Sequence, residues 1–400
     1  MKDVFIVSPV RTPIGRYSGG LASVRIDDLT AGILRELVNR TGVPTEKIDD
    51  VIIGCANQAG EDNRNLARMA SLLAGFSESV PATTLNRLCG SALDATIYAA
   101  RAIAAGEASM VIAGGAEVMS RAPYVLQKNA TGAPLFGNLT AYDTALGWRF
   151  PNPAMEKMFP LESMGETAEN IAERWEISRE EQDEFALRSH RLSVAAWEKG
   201  FYDSTVVPVE IPQRKGDPVV VSRDEGPRAD TSVEKLSQLR PAFRKEGSVT
   251  AGNSSSLNDG AGALLVADAE AVERYNLIPV LRYRAGATAG VDPRIMGIGP
   301  VPATRKALEI AGLKIDDIDV VELNEAFSAQ SIAVIRELGL NLDDVNRNGG
   351  AIALGHPLGM SGVRLVATLG EEMKRSGEKI GLATMCIGVG QGVSAIFESV

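Results

Sequence analysis

Cys89 stands in the stretch Thr84-Leu85-Asn86-Arg87-Leu88-Cys89-Gly90-Ser91-Ala92-Leu93. An extended segment ends there, and a helix pattern rich in alanine runs on to Ile103. A thiol at such a point faces free backbone N–H groups and the positive end of the helix dipole, and both favour the thiolate. A low-pKa thiolate is a nucleophile. For a cysteine taken alone, a small buried core residue is the commoner explanation. A catalytic role therefore requires a base, a proton donor and an oxyanion site elsewhere in the chain.

His356 is the candidate base. Gly355, Pro357 and Gly359 surround it, so turn chemistry sets its backbone, and the glycines allow close approach of neighbouring chain. A near-neutral imidazole at a cavity mouth would serve as a general base at physiological pH; a loop histidine in solvent is the alternative. Cys386 follows the strand pattern Leu382–Met385 and enters Ile387-Gly388-Val389-Gly390-Gln391-Gly392. A glycine-rich strand end of this kind can aim backbone N–H groups into a site, although a buried small residue also accounts for Cys386. The glycines do not match a dinucleotide fingerprint, since the third glycine of GxGxxG is missing. Asn324 and Glu325 close the strand Val320–Leu323 and open a helix from Ala326. That is where α/β folds place ligands, and also where Asn324 would serve as a helix cap. His190, in the charged run Leu187-Arg188-Ser189-His190-Arg191, is expected in solvent, and Cys55 in the core.

The elements that must position these residues alternate. Val4–Val7 reads as a strand, Arg11–Gly15 as a turn, Asp28–Asn39 as a helix and Val51–Gly54 as a buried strand. Arg64–Leu73 reads as a helix, and Ser109–Ala113 as a strand followed by a Gly114-Gly115 turn. The order is βαβα, hence an α/β class. The last third repeats the first. Gly42–Val51 aligns with Gly312–Val321 at an offset of 270, and Gly106-Glu107 with Gly377-Glu378 at 271. Two blocks at nearly one offset indicate a duplicated domain. The same offset carries Cys89 onto Met360, beside His356 and just before the helix pattern Val363–Met373. Pseudo-twofold packing would then bring two equivalent helix N-termini together. Between the halves lies an irregular stretch with helix patterns at Thr167–Glu176 and Ser178–Lys199, the second opening on a Ser178/Glu181 capping box. The division expected is 1–118 and 249–270 for the first half, 119–248 for an inserted loop domain and 271–400 for the second half.

Composition narrows the function. The 400 residues carry a net charge of −10 without a basic tract, which argues against a nucleic-acid partner. No apolar run approaches the roughly 20 residues of a membrane helix, and the N-terminus lacks a secretory h-region. Three dispersed cysteines without a CxxC pair point to a reducing, cytoplasmic compartment. Two histidines make a multi-histidine metal site improbable, so no metal is expected.

Four segments together, Asn86–Ser91, Asn324–Phe327, Gly349–Gly359 and Cys386–Gly392, resemble the four signatures of the thiolase family, in the family's order and across the whole chain. The resemblance implies an α/β thiolase fold: two βαβαβαββ halves in a five-layered α-β-α-β-α core, with an inserted loop domain. It implies an acetyl-CoA C-acyltransferase, in which Cys89 becomes acylated and His356 takes its proton. Cys386 protonates the departing acetyl-CoA enolate, or removes the α-proton in reverse. Asn324, through a water, and His356 hold the thioester oxygen, and the N–H groups of Cys89 and Gly388 hold the acyl oxygen. Coenzyme A enters as substrate with no permanently bound cofactor, and the resemblance places it against Met164, Arg228, Phe243 and Ser255. A homodimer or homotetramer is implied.

Three positions depart from common family members: Ala92 replaces glycine, Met360 replaces alanine, and Ser163 stands where acetoacetyl-specific biosynthetic members carry histidine. With the segment Gly54–Asn65, the last resembles degradative members acting on 3-oxoacyl-CoA in fatty acid β-oxidation, or alternatively on 3-oxoadipyl-CoA from aromatic degradation. Acetoacetyl-CoA formation is a further alternative. A decarboxylating condensing enzyme pairs its cysteine with two histidines, and this chain offers one. A non-catalytic acyl-CoA binder would need a broken Cys89–His356–Cys386 set, and the set is intact.

Overall fold

A computed structural model describes residues 2–128 and 138–400. The first half contains β1 (Val4–Arg11), β2 (Gly15–Arg16), α1 (Ile26–Thr41), β3 (Asp50–Gly54), α2 (Leu66–Leu73), β4 (Ala82–Leu85), α3 (Ser91–Ala105) and β5 (Met110–Val118). The intervening stretch contributes β6 (Tyr124–Leu126), β7 (Ala141–Asp143), α4 (Pro153–Met158), α5 (Met164–Arg174), α6 (Arg179–Glu198), β8 (Val209–Ile211), β9 (Val219–Val221) and α7 (Val233–Ser237). The rest runs β10 (Asn258–Asp268), α8 (Ala269–Arg274), β11 (Pro279–Gly290), α9 (Pro300–Ala311), β12 (Val320–Leu323), α10 (Ser328–Leu338), α11 (Ala351–Leu354), α12 (Ser361–Ser376), β13 (Ile380–Ile387) and β14 (Gln391–Glu398).

The central sheet has the order β12-β13-β14-β11-β1-β10-β5-β3-β4. The duplication is visible in it. On each side of the β1–β11 seam two antiparallel neighbours are followed by parallel pairs, β5–β3–β4 on one side and β13–β12 on the other. Where a counterpart of β4 would stand, Val345 makes one parallel bridge to Val321. Alternation along the strands sends side chains to two faces. Ile53, Ile112 and Leu265 pack under α1 and α2, while Ile52, Val111 and Val266 face a shared interior with α3 and α12. Leu323, Leu382 and Ile396 face outward again under α9 and α10. The layers are therefore helix, sheet, helix, sheet, helix, with the two equivalent helices in the middle.

The two middle helices approach closely at the ends that carry chemistry. A side-chain carbon on Gly362 would lie 2.1 Å from the backbone nitrogen of Leu93, so only glycine lets α12 start against α3. Gly115 serves a similar end and corrects the expected turn: Gly114-Gly115 lies inside β5, and a side chain on Gly115 would meet the carbonyl of Gly359 at 1.9 Å. Gly115 admits the His356 loop, while a side chain on Gly114 would meet the Gly262 carbonyl of β10 at 2.5 Å. The Arg11–Gly15 turn is also corrected. Arg11 ends β1, fully buried, in a two-pronged bond to Asp224 at 2.7 and 2.8 Å that ties the 119–248 stretch to the sheet. The Ser178/Glu181 capping box opens α6 as expected.

Candidate active site

Cys89 lies in a single tight turn, Leu88–Gly90, between β4 and α3. Leu88 adopts φ +47°, an uncommon backbone for a branched side chain, and so turns the chain back into the helix. Neighbours hold the turn. Asn86 Oδ1 accepts the Leu88 N–H at 2.8 Å, and Ser91 Oγ accepts the Arg87 N–H at 2.9 Å. The cysteine is at a helix start, as the sequence indicates, but the expected low-pKa thiolate is not what this setting gives. Burial pushes the Cys89 thiol up to about 11, only partly countered by the N–H groups of Gly388 and of Cys89 itself. Partial charges at a helix end are worth about 0.3–1 kcal/mol, less than desolvating a thiolate. The N–H of Gly388, from the turn joining β13 to β14, is nevertheless aimed at this sulfur.

His356 is buried in the loop between α11 and α12. Its N–H donates to Asn258 Oδ1 at 2.9 Å. Ring Nδ1 is 2.6 Å from Ser361 Oγ, and that hydroxyl donates to the Pro357 carbonyl at 2.9 Å. A hydroxyl has one proton, so it accepts from the ring. This bonding assigns the hydrogen to Nδ1 and makes Nε2 the ring's acceptor. Burial, and then the positive charge of Arg364, lower His356 to about 3, so the ring is a neutral base. Cys386, at the end of β13, is buried, and desolvation followed by the proximity of Cys89 keeps its thiol firmly protonated. Asn324 is fully buried and does not cap α10, which begins four residues later at Ser328. Its Nδ2 instead lies 3.3 Å from Nε2 and 3.5 Å from Nδ1 of His356.

Cys89, His356 and Cys386 line one narrow cavity of about 80 Å³, together with Met164, Ser255 and Phe327. Arg228 lines an adjoining groove of about 310 Å³ that shares Ser256 and Leu257 with the cavity. Phe243 lines neither. It packs on Gly165 and meets Phe327 edge-to-face with centroids 6.3 Å apart. Glu117 joins the two halves: its buried carboxylate accepts N–H groups from Ala56, Asn57 and Gly359 at 2.9–3.0 Å, while burial raises it to about 7. Ser361, Asn258 and Glu117 escaped sequence reasoning. Ser361 lies two residues beyond the Gly349–Gly359 segment, but its partner depends on the folded loop; the other two carry no local signal. Among the described residues no cluster of histidine, cysteine and carboxylate side chains is arranged to hold a metal, and no helix is long and apolar enough to cross a membrane.

His190 is a correction. It is buried, and its Nδ1 accepts the Arg228 N–H at 3.2 Å, at the wall of the groove that Arg228 lines. Desolvation and the Arg228 charge lower it to about 4. The unfolded side chain titrates near 6.5. As pH falls, the unfolded state takes up the proton first, so stability present above that value is lost through the window down to the folded value. His190→Gln should therefore lose on the order of 2 kcal/mol less than the unsubstituted chain between about pH 7 and about pH 5, read from urea midpoints. Identical slopes would place His190 in water.

A thiol, a neutral imidazole and a second, protonated thiol line one cavity on duplicated α/β halves, an arrangement chemically suited to acyl transfer through cysteine. Residues 4–270 match the thiolase N-terminal domain and residues 277–399 the thiolase C-terminal domain, so the chain belongs to the thiolase family of acyltransferases. It is 55% identical, over 100% of both chains, to a beta-ketoadipyl-CoA thiolase of Acinetobacter baylyi. It is equally similar, at 55% over 100% of both, to the 3-oxoadipyl-CoA/3-oxo-5,6-dehydrosuberyl-CoA thiolase of Escherichia coli. A solved structure of human mitochondrial 3-ketoacyl-CoA thiolase in complex with CoA superposes with a TM-score of 0.92 at 40% identity, covering 100% of this chain and 98% of that one.

Proposed function

We propose that the chain cleaves 3-oxoacyl-CoA thiolytically with CoA as cosubstrate, and that its preferred substrate is 3-oxoadipyl-CoA. The meeting of Cys89, His356 and Cys386 at one cavity carries the reaction. Two end-to-end relatives named for the adipyl substrate favour aromatic degradation over the fatty acid β-oxidation role placed first by the sequence. Nε2 of His356 takes the Cys89 proton as Sγ attacks the 3-oxo carbon, whose oxygen rests on the Cys89 and Gly388 N–H groups. The C2–C3 bond breaks, the electron pair moves to the thioester oxygen near Asn324 and His356, and Cys386 gives its proton to C2. Acetyl-CoA leaves; the Cys386 thiolate then takes the proton of the CoA thiol as its sulfur attacks the acyl carbon, and Nε2 of His356 returns its proton to the departing Cys89 Sγ. Each oxyanion donor is worth about 3 kcal/mol of barrier.

We also take 119–248 as the inserted domain, since Met164, Arg228 and Phe243 reach the site region from it. Met164 and Ser255 at the cavity and Arg228 in the groove suit the pantetheine and nucleotide of CoA, with Phe243 bracing Phe327 behind them. A homodimer or homotetramer fits the open edge of β4, flanked by exposed Leu72, Leu73 and Tyr98. Three free thiols fit a cytoplasmic setting. The substrate is tested by measuring kcat/KM for thiolysis of 3-oxoacyl-CoA esters of increasing length beside 3-oxoadipyl-CoA. The adipyl ester should lead by about 10-fold or more; parity with a long-chain ester would return the protein to β-oxidation.

A further inference from the structure

Arg364, on the first turn of α12, is fully buried and carries a charge that the steps above do not use. Its Nη2 donates to Asn324 Oδ1 at 2.9 Å, and its Nη1 lies 3.5 Å from Oε2 of Glu322, which is also fully buried. Among the described residues, Nε and Nη1 of Arg364 and both oxygens of Glu322 have no hydrogen-bond partner. A buried arginine with unmet bonds, beside a carboxyl that burial raises to about 8, is often less stable than apolar side chains of the same volume. Packing therefore does not explain this arginine, whereas its bond to Asn324 does.

A guanidinium only donates. Oδ1 of Asn324 must face Arg364, and the amide N–H groups must face the other way, to the His356 ring. Released from that bond, the amide can turn over and present its oxygen where the thioester oxygen becomes negative. Attraction would become repulsion at the atom that matters most for cleaving the C2–C3 bond.

We propose that Arg364, set beside Glu322, is a positioning residue for the enolate half of the reaction: it fixes the Asn324 amide with its N–H groups toward the thioester oxygen. The inference rests on the thiolase reading of the site. The acylation half uses the Cys89 and Gly388 N–H groups and does not draw on Asn324, so the two halves should respond differently. The charge of Arg364 also helps to keep His356 neutral.

The full-length enzyme tests this through two half-reactions of acetyl-CoA. Exchange of its α-hydrogens in heavy water reports enolate formation, and acetylation of Cys89, read by intact mass, reports the other half. Arg364→Gln should slow exchange, and kcat for thiolysis, by roughly 10–100-fold, while KM and the acetylation rate stay within about threefold. In an Asn324→Ala background the same substitution should change exchange by less than about threefold, and Arg364→Lys, which keeps a donor, should recover part of the loss. Equal losses in both half-reactions, or an undiminished loss without Asn324, would overturn the proposal. If Arg364→Gln does not fold, Arg364→Lys and Glu322→Gln must show the same split between the halves. Failure of the unsubstituted enzyme to acetylate would instead sink the thiolase reading, and this inference with it.

Discussion

Cys89→Ser abolishes the acyl-enzyme and lowers thiolysis by roughly 10,000-fold or more. The size of the effect follows from how the pair is set. With Cys89 pushed up to about 11 and His356 down to about 3, the resting site holds a neutral thiol beside a neutral imidazole. The proton must therefore move from Cys89 to His356 as the sulfur attacks. A serine hydroxyl is a far weaker acid than a thiol, and burial weakens it further. Intact mass after incubation with 3-oxoadipyl-CoA and no free CoA should show the acyl adduct on the unsubstituted chain and none on the variant. Full acylation of the serine variant would place the nucleophile elsewhere.

The second large effect divides the reaction. Cys386→Ala removes the proton donor and leaves the nucleophile in place. Thiolysis should fall by about 100- to 10,000-fold, the usual contribution of a positioned acid or base. Transfer of an acyl group from acyl-CoA to Cys89 needs no carbon acid, so it should survive within about tenfold. The environment of Cys386 supports the role: burial and the neighbouring Cys89 keep its thiol protonated, and a carbanion is basic enough to take that proton. Rapid-quench mass spectrometry of acylation beside a thiolysis assay distinguishes the two steps. Loss of both would make Cys386 a structural support of the Cys89 turn instead.

Much of this protein is legible along the chain because the features are local. Leu29, Ile33, Leu34 and Leu37 recur with helical spacing and do line the inner face of α1. The Gly42–Val51 and Gly312–Val321 blocks lead into β3 and β12, equivalent strands of the two half-sheets. The reading fails where one half presses on the other. Gly114-Gly115 has turn composition, yet it continues β5, with the Gly262 carbonyl in the space a Gly114 side chain would fill and the Gly359 carbonyl in that of Gly115. His190 sits among charges in sequence, yet it is buried with its ring against the Arg228 backbone N–H.

The types and spacing of residues by themselves determined the α/β class, the duplication and the family, and singled out Cys89, His356, Cys386 and Asn324 as candidates. Each of these depends on local pattern or on four motifs that survive as strings. Tertiary structure alone decided the proton inventory of the site. The helix start behind Cys89 argues for a thiolate, but desolvation by the opposing half reverses that preference. The tautomer of His356 depends on Ser361 and Pro357 folding back upon its ring, and the direction of the Asn324 amide on a guanidinium 40 residues away in α12. Charge and hydrogen bonding are set by what lies within a few ångströms, and in a duplicated fold the nearest groups come from distant parts of the chain.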